Sequence, residues 1–181
     1  MTEPPTPARR PARRVSLAYL ERAALAYLER YASSSQNLRR ILVRKVEKRC
    51  RLRDEDPAEF MPLVDEVVRR TVSGGFVDDA RYAQGRVASL RRRGGSARLI
   101  AAKLGAKGVD RALIDGALAE SEADDEAAAW ALARRRKLGP YRQSRRSEYR
   151  DKDMAVLARA GFGYGIAKAV VDGEIDAHDE A

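Results

Sequence analysis

The chain has 181 residues, enough for one large domain or two small ones, and 44% of them are hydrophobic, enough for a packed core. Lys and Arg total 36 against 27 Asp and Glu, a formal charge of +9 with a pI near 10.0, which favours a polyanionic partner such as nucleic acid or an acidic protein surface. The single cysteine, Cys50, excludes an intramolecular disulfide and a cysteine-based metal set, and no run of about 18 apolar residues exists to span a membrane.

Alanine, leucine and arginine favour helix and β-branched alternation is almost absent, so the composition predicts an all-α protein. Residues 1–15, with arginines set between prolines and no apolar segment behind them, read as a disordered Pro/Arg-rich stretch and not as a secretory signal; a cytoplasmic protein is expected. The first helix starts at Ser16 as N-cap, with Leu17, Leu20, Ala24, Leu28 and Tyr31 on one face. Ser33-Ser34-Ser35 breaks it and caps a second, in which Leu38, Ile41, Leu42, Lys45 and Val46 share a side. Asp56-Pro57-Ala58-Glu59 has the order of a capping box, and Phe60, Leu63, Val64, Val67, Val68 and Val72 form a third stripe. Pro62 sits too deep in that helix, which must start later or bend there.

The pattern then returns. A helix is predicted from about Asp79 to Arg93, with Tyr82, Ala83, Val87 and Leu90 as its stripe and Gly94-Gly95 as its stop. Arg91, Arg92 and Arg93 fall in its last turn, where cations oppose the negative end of the dipole. The next helix begins at Ser96 and carries Leu99, Ile100, Lys103 and Leu104; another starts at Asp110 with Leu113, Ile114, Ala117 and Leu118. After the acidic run from Glu120, a helix carries Trp130, Ala131, Ala133 and Arg134 and ends near Leu138-Gly139-Pro140. A basic loop of about ten residues follows, then two last helices at DKDMAVLARAGFG and YGIAKAVVDGE. Superposing the middle helix of each triplet puts Leu42, Leu104 and Leu157 in register, as well as Lys45-Val46, Lys107-Gly108 and Ala160-Gly161. The reading is an elongated, curved tandem array of three three-helix repeats, nine helices in all, at 16–77, 78–121 and 122–171, with an acidic tail over 172–181.

The catalytic inventory is thin, and no enzyme is expected. The only histidine, His178, lies in the acidic tail, and no second histidine or cysteine completes a zinc set or a Cys-His pair. Gly74-Gly75 and Gly161-Phe162-Gly163 fit helix ends better than phosphate loops, and the pairs Asp78-Asp79 and Asp124-Asp125 fit caps better than metal ligands. No metal or cofactor is implied. Two basic runs are the sharper signal. From Arg39 to Arg53 eight Lys/Arg face one acid, Glu47; from Arg134 to Lys152 nine face two, Glu148 and Asp151. A run of charge is ordinarily a solvated helix face. The second run crosses a helix end and a loop, so dipole compensation covers only its first four members, and it holds Tyr141 and Tyr149, which can stack on bases or pack on a partner.

At GFVDDARYA (Gly75 to Ala83), followed by KLGAKGVDRALIDGAL (Lys103 to Leu118), the chain resembles the RecX family of bacterial recombination regulators, a likeness running from about Ser16 to Val171. Three positions depart from the pattern: Val46 stands where a glycine would follow Lys45, Gly85 lies inside a helix, and Asp153 sits where unit two has Ile100. The resemblance implies a non-enzymatic protein that binds RecA, lies in the groove of its filament on single-stranded DNA, and modulates, mainly inhibits, its ATPase, strand exchange and assembly. A monomer is expected, and contact with single-stranded DNA made through phosphate charge would be sequence-independent. The alternative is a non-specific DNA-binding protein acting without touching RecA. Gly75, Phe76, Asp79, Tyr82, Leu104, Lys107 and Gly108 are then framework residues. The contact surface is assigned to Arg91, Arg92 and Arg93 with Arg134, Arg135, Arg136, Lys137, Tyr141, Arg142, Arg145, Arg146, Tyr149 and Arg150. Changing the Arg91–Arg93 triplet to glutamine is expected to leave helicity nearly intact and to weaken RecA inhibition.

Overall fold

Five of the α-helices begin at a Ser or Asp whose side chain caps the first turn, and the architecture follows from those punctuation points. A computed structural model describes residues 14–175; the proline-rich start, His178 and most of the acidic tail lie outside them. Among the described residues there are nine α-helices and no strand: α1 (Leu17–Leu28), α2 (Ser35–Arg51), α3 (Met61–Ser73), α4 (Asp79–Arg92), α5 (Ala97–Ala106), α6 (Arg111–Ala119), α7 (Asp125–Arg136), α8 (Arg146–Arg159) and α9 (Tyr164–Asp172). The protein is all-α. Ser16, Ser34, Ser96, Asp110 and Asp124 each accept a hydrogen bond from a first-turn amide, at 2.8–3.3 Å. The chain divides into two compact units, with the boundary in sequence between Asp78 and Asp79.

In the first unit α3 packs against both α1 and α2. Its core holds Leu20, Ala24, Leu38, Leu42, Val46, Cys50, Phe60, Val64 and Val67. Pro62 is accommodated by a late start: Pro57–Phe60 forms a 3-10 turn capped by Asp56, and Pro62 then falls in the first turn of α3, where its missing amide costs nothing. Thr71, not Val72, closes the inner stripe of α3; Val72 is exposed, as are Lys45 and Tyr31, the last beyond the end of α1. Val46 explains why α2 outlasts its two counterparts. Gly108 and Gly161 end α5 and α8 at positive φ, a conformation a β-branched residue resists, so at Val46 the helix continues to Arg51.

The second unit holds two cores. Ala83, Val87, Leu90, Ile100, Leu104 and Ile114 fill the space between α4, α5 and α6, and Ala129, Leu132, Ala133, Leu157, Phe162 and Val170 that between α7, α8 and α9. The registered leucines Leu42, Leu104 and Leu157 are all fully buried or within 1% of it. The two cores are joined by polar contacts. Ser96 accepts from Leu99 as a cap and donates its hydroxyl to the Ala160 carbonyl at 2.7 Å. Asp125 Oδ1 accepts from the Ala97 amide at 2.8 Å and from the Arg91 guanidinium. At Gly94, φ is +72° and a methyl group would stand 2.6 Å from the Leu132 backbone nitrogen, so only glycine lets the α4–α5 turn lie on α7.

The predicted ten-residue basic loop is shorter. Gly139–Tyr141 is a 3-10 turn, and α8 begins at Arg146, several residues before the expected start. Asp153 holds the shortened segment against the helix. It sits on α8, 1% exposed, and accepts from the Gly139 amide and from Arg142 Nε and Nη2, all at 2.8 Å. An aspartate at a core position thus ties the turn to the helix.

Candidate polyanion-binding cleft

Three consecutive residues of a helix point about 100° apart, so the Arg91-Arg92-Arg93 run cannot act as one patch. Arg91 is buried, 5% exposed, and donates to Asp125 and to the Gly95 carbonyl, while its Nε has no partner. It is a strut inside the unit, so the triple change to glutamine, expected to leave helicity nearly intact, would also break a buried contact at Arg91. Arg92 is exposed on the far side of α4, beside Ala117 and Glu120. Arg93, just past the end of α4, turns into a cleft.

That cleft lies within the second unit and has a volume of about 500 Å³. The α4–α5 turn supplies Arg93, α5 supplies Lys103, α7 supplies Arg135 and Arg136, and α8 supplies Arg159, over a floor formed by Leu90, Leu99, Leu132 and Val156. Among the described residues no acidic side chain lines it. All five cationic side chains are exposed, and none makes an ion pair among the described residues; Arg159 Nε donates to its own helix at Ala155. A cleft lined by one sign of charge over an apolar floor focuses field and concentrates anions. The buried contacts described above, Gly94 on Leu132, Ser96 to Ala160 and Arg91 to Asp125, lie next to it and fix its walls.

The other proposed contact residues divide into two groups. Arg134, Lys137 and Arg145 are exposed, Lys137 and Arg145 both in the left-handed region, with Arg145 3.9 Å from Glu148. The rest hold the third helix triplet together. Arg142 pairs with Asp153 and lies 4.2 Å from the Tyr149 ring centroid, with Lys152 on that ring at 4.7 Å. Tyr149 is therefore already covered by cations. Tyr141 packs edge-on against Trp130 at 6.2 Å. Arg146 donates to the Val171 carbonyl at 2.8 Å and to that of Gly173, and Arg150 binds both carboxylate oxygens of Asp172 at 2.7 Å.

The charge states follow these contacts. Burial alone would raise the Asp153 carboxyl, but the Arg142 and Gly139 hydrogen bonds outweigh it and hold it below the usual carboxylate range. Asp172 is lowered by its hydrogen bonds from Arg150. Burial pushes the Cys50 thiol up, helped by Glu55, Asp56 and Glu59, so it stays a protonated core side chain.

Among the framework residues, Gly75 and Gly108 take positive φ of 73° and 76°, Leu104 is buried, Tyr82 packs on the α4–α6 core, and Lys107 ends α5. Phe76 is 64% exposed, so it contributes little to packing within its unit. In the first unit, the Arg39–Arg53 run is partly internal: Arg39 pairs with Asp65 at 2.7 Å, Arg53 with Glu55 at 2.9 Å, and Arg49 stacks on Tyr19 at 3.8 Å. Arg44, Lys45, Lys48 and Arg51 are exposed. Lys103 and Arg159 are the residues that sequence reasoning missed. Lys103 carried a signal, being the one cation in the α5 stripe.

Among the described residues there is no group of three or more His, Cys, Asp or Glu able to hold a metal ion, and no helix long and apolar enough to cross a membrane. Residues 78–118 match the model of the second three-helix domain of RecX. The chain is 42% identical over 164 residues to the regulatory protein RecX of Myxococcus xanthus, covering 88% of each chain. It is 34% identical over 139 residues to that of Agrobacterium fabrum, covering 76% of this chain and 73% of the relative. A crystal structure of a regulatory protein RecX superposes with a TM-score of 0.62 at 20% identity, over 87% of this chain and 72% of that one, which supports the fold. With a relative this similar over this much of both chains, the protein belongs to the RecX family of regulatory proteins.

Proposed function

We propose that this protein binds the RecA recombinase and its filament on single-stranded DNA, and that it modulates, mainly by inhibition, the ATPase, strand exchange and assembly of that filament. The protein acts as a monomer, its units being helix triplets over 16–77, 78–121 and 122–171, and it touches DNA without reading sequence. The observation that carries the reading is the cleft between α4, α5, α7 and α8, where five cations converge with no acid among them. A nucleoprotein filament presents phosphates and acidic side chains in a repeating groove, and a fixed set of cations can hold one state of it better than another. The shift in filament equilibrium is then limited to the difference in affinity between the states. Exposed Arg44, Lys48 and Arg51 on α2 add cations in the first unit. The test is RecA ATPase on single-stranded DNA titrated with this protein. The turnover rate is expected to fall with added protein at fixed DNA, and to recover with salt as the cationic contacts are screened. An unchanged rate over a full titration contradicts the reading.

A further inference from the structure

The charge density of the cleft exceeds what a nucleic-acid strand supplies. A space of about 500 Å³ is about 8 Å across if its dimensions are similar. A stacked strand carries about one charge per 3.4 Å, so about two phosphates fit, leaving about three of the cations without a counter-charge. A duplex is denser in charge but too wide to enter, its major groove alone being about 12 Å across. A triphosphate ester concentrates about four negative charges in one group, its terminal phosphoryl carrying about 1.5–2 of them.

We infer that this cleft is a binding site for a compact oligophosphate, the triphosphate of a nucleoside. Arg93, Arg135, Arg136 and Arg159 provide planar guanidinium forks suited to phosphoryl oxygens, and Lys103 adds a point charge. Leu99, Leu132 and Val156 give the nucleoside an apolar surface. The volume falls in the range of small-ligand sites, about 300–1,000 Å³. The walls are preorganised by Gly94, Ser96 and the Arg91–Asp125 pair, so little ordering is needed on binding. Occupation by a nucleoside triphosphate excludes any other polyanion from the same cations. Free nucleotide therefore competes at the contact surface proposed above; that consequence rests on the reading of the cleft as a polyanion seat, whereas the binding itself does not.

The experiment is calorimetric titration of the full chain, with no partner protein, at about 50 mM salt. The probes are inorganic triphosphate, ATP, AMP and oligo-dT. Inorganic triphosphate and ATP are expected to bind once per chain and at least about tenfold more tightly than AMP. The double variant Lys103→Gln/Arg159→Gln, which changes only exposed side chains, is expected to lose about tenfold or more in ATP affinity with its melting temperature unchanged. ATP and AMP binding equally weakly, ATP binding unaltered in the double variant, or oligo-dT binding without triphosphate binding would each overturn the inference. These outcomes are independent of RecA: loss of triphosphate binding leaves the ATPase titration standing, and an unchanged ATPase leaves the calorimetry standing.

Discussion

Removing the carboxylate of Asp153 isolates the contact that turned a run of surface charge into internal structure. In Asp153→Ala the Arg142 guanidinium, whose side chain is only 25% exposed, loses both of its hydrogen bonds, and the buried Gly139 amide loses its acceptor. Breaking a buried pair by removing one partner costs about 3–5 kcal/mol, and the partial exposure of Arg142 lowers its share. An unpaired buried amide adds about 1–3 kcal/mol. Taking the solvent-screened pair at about 2 kcal/mol and the amide at about 1 kcal/mol, the combined expectation is about 3 kcal/mol. For a unit of this size that lowers the melting temperature by about 12–24 °C, measurable by circular dichroism. The pH dependence gives a second readout. The Asp153 pKa is lowered in the folded state, so its contribution is complete above the unfolded value of about 3.9 and is lost as pH falls through the lower folded value. The stability gap between wild type and variant is thus constant near neutral pH and narrows in acid. A loss below about 1 kcal/mol, or a gap that stays constant into strong acid, refutes the argument.

Glycines separate in the same assay. Gly94→Ala requires a methyl group 2.6 Å from the Leu132 nitrogen and 2.8 Å from the Ala128 carbonyl oxygen at positive φ, and is expected to cost about 2–4 kcal/mol. Gly105→Ala and Gly116→Ala, each inside a helix with open space at the added methyl, are expected to stabilise by about 0.5–1 kcal/mol. Ser96→Ala removes both a cap and the donor to the Ala160 carbonyl, and chemical denaturation is expected to show a loss of about 1–3 kcal/mol. Arg91→Gln and Arg93→Gln are expected to differ in kind: the first lowers the melting temperature, and the second leaves it unchanged while weakening polyanion binding in a fluorescence titration. In the first unit, Arg44→Gln/Lys48→Gln is expected to reduce the salt slope of DNA binding by up to about 2 without moving the melting temperature.

The helices were legible where the signal is local. Ser16, Ser34, Ser96, Asp110 and Asp124 each bond to an amide two or three residues away, so sequence alone determines the contact. The registered leucines were legible because a helical stripe repeats within one element. Asp153 was not: its partners Arg142 and Gly139 stand 11 and 14 residues earlier, in what reads as a loop, and only folding shows that they saturate it. The arginine triplet misled for a related reason. Adjacency in sequence becomes rotation about a helix, which sends Arg91 to Asp125, Arg92 to one side and Arg93 to the cleft. The cleft itself comes from the α4–α5 turn and three helices spread over residues 90–160, so no short window contains its pattern.

The most direct measurement compares wild type with Arg93→Gln/Arg135→Gln/Arg136→Gln in the RecA ATPase assay on single-stranded DNA. All three side chains are exposed and border the same cleft, so the melting temperature is expected to hold. The protein concentration for half-inhibition is predicted to rise at least about tenfold, the loss of about 1.4 kcal/mol from three charge contacts. Inhibition at the wild-type concentration by a fully folded variant would contradict the assignment of this cleft as the contacting surface.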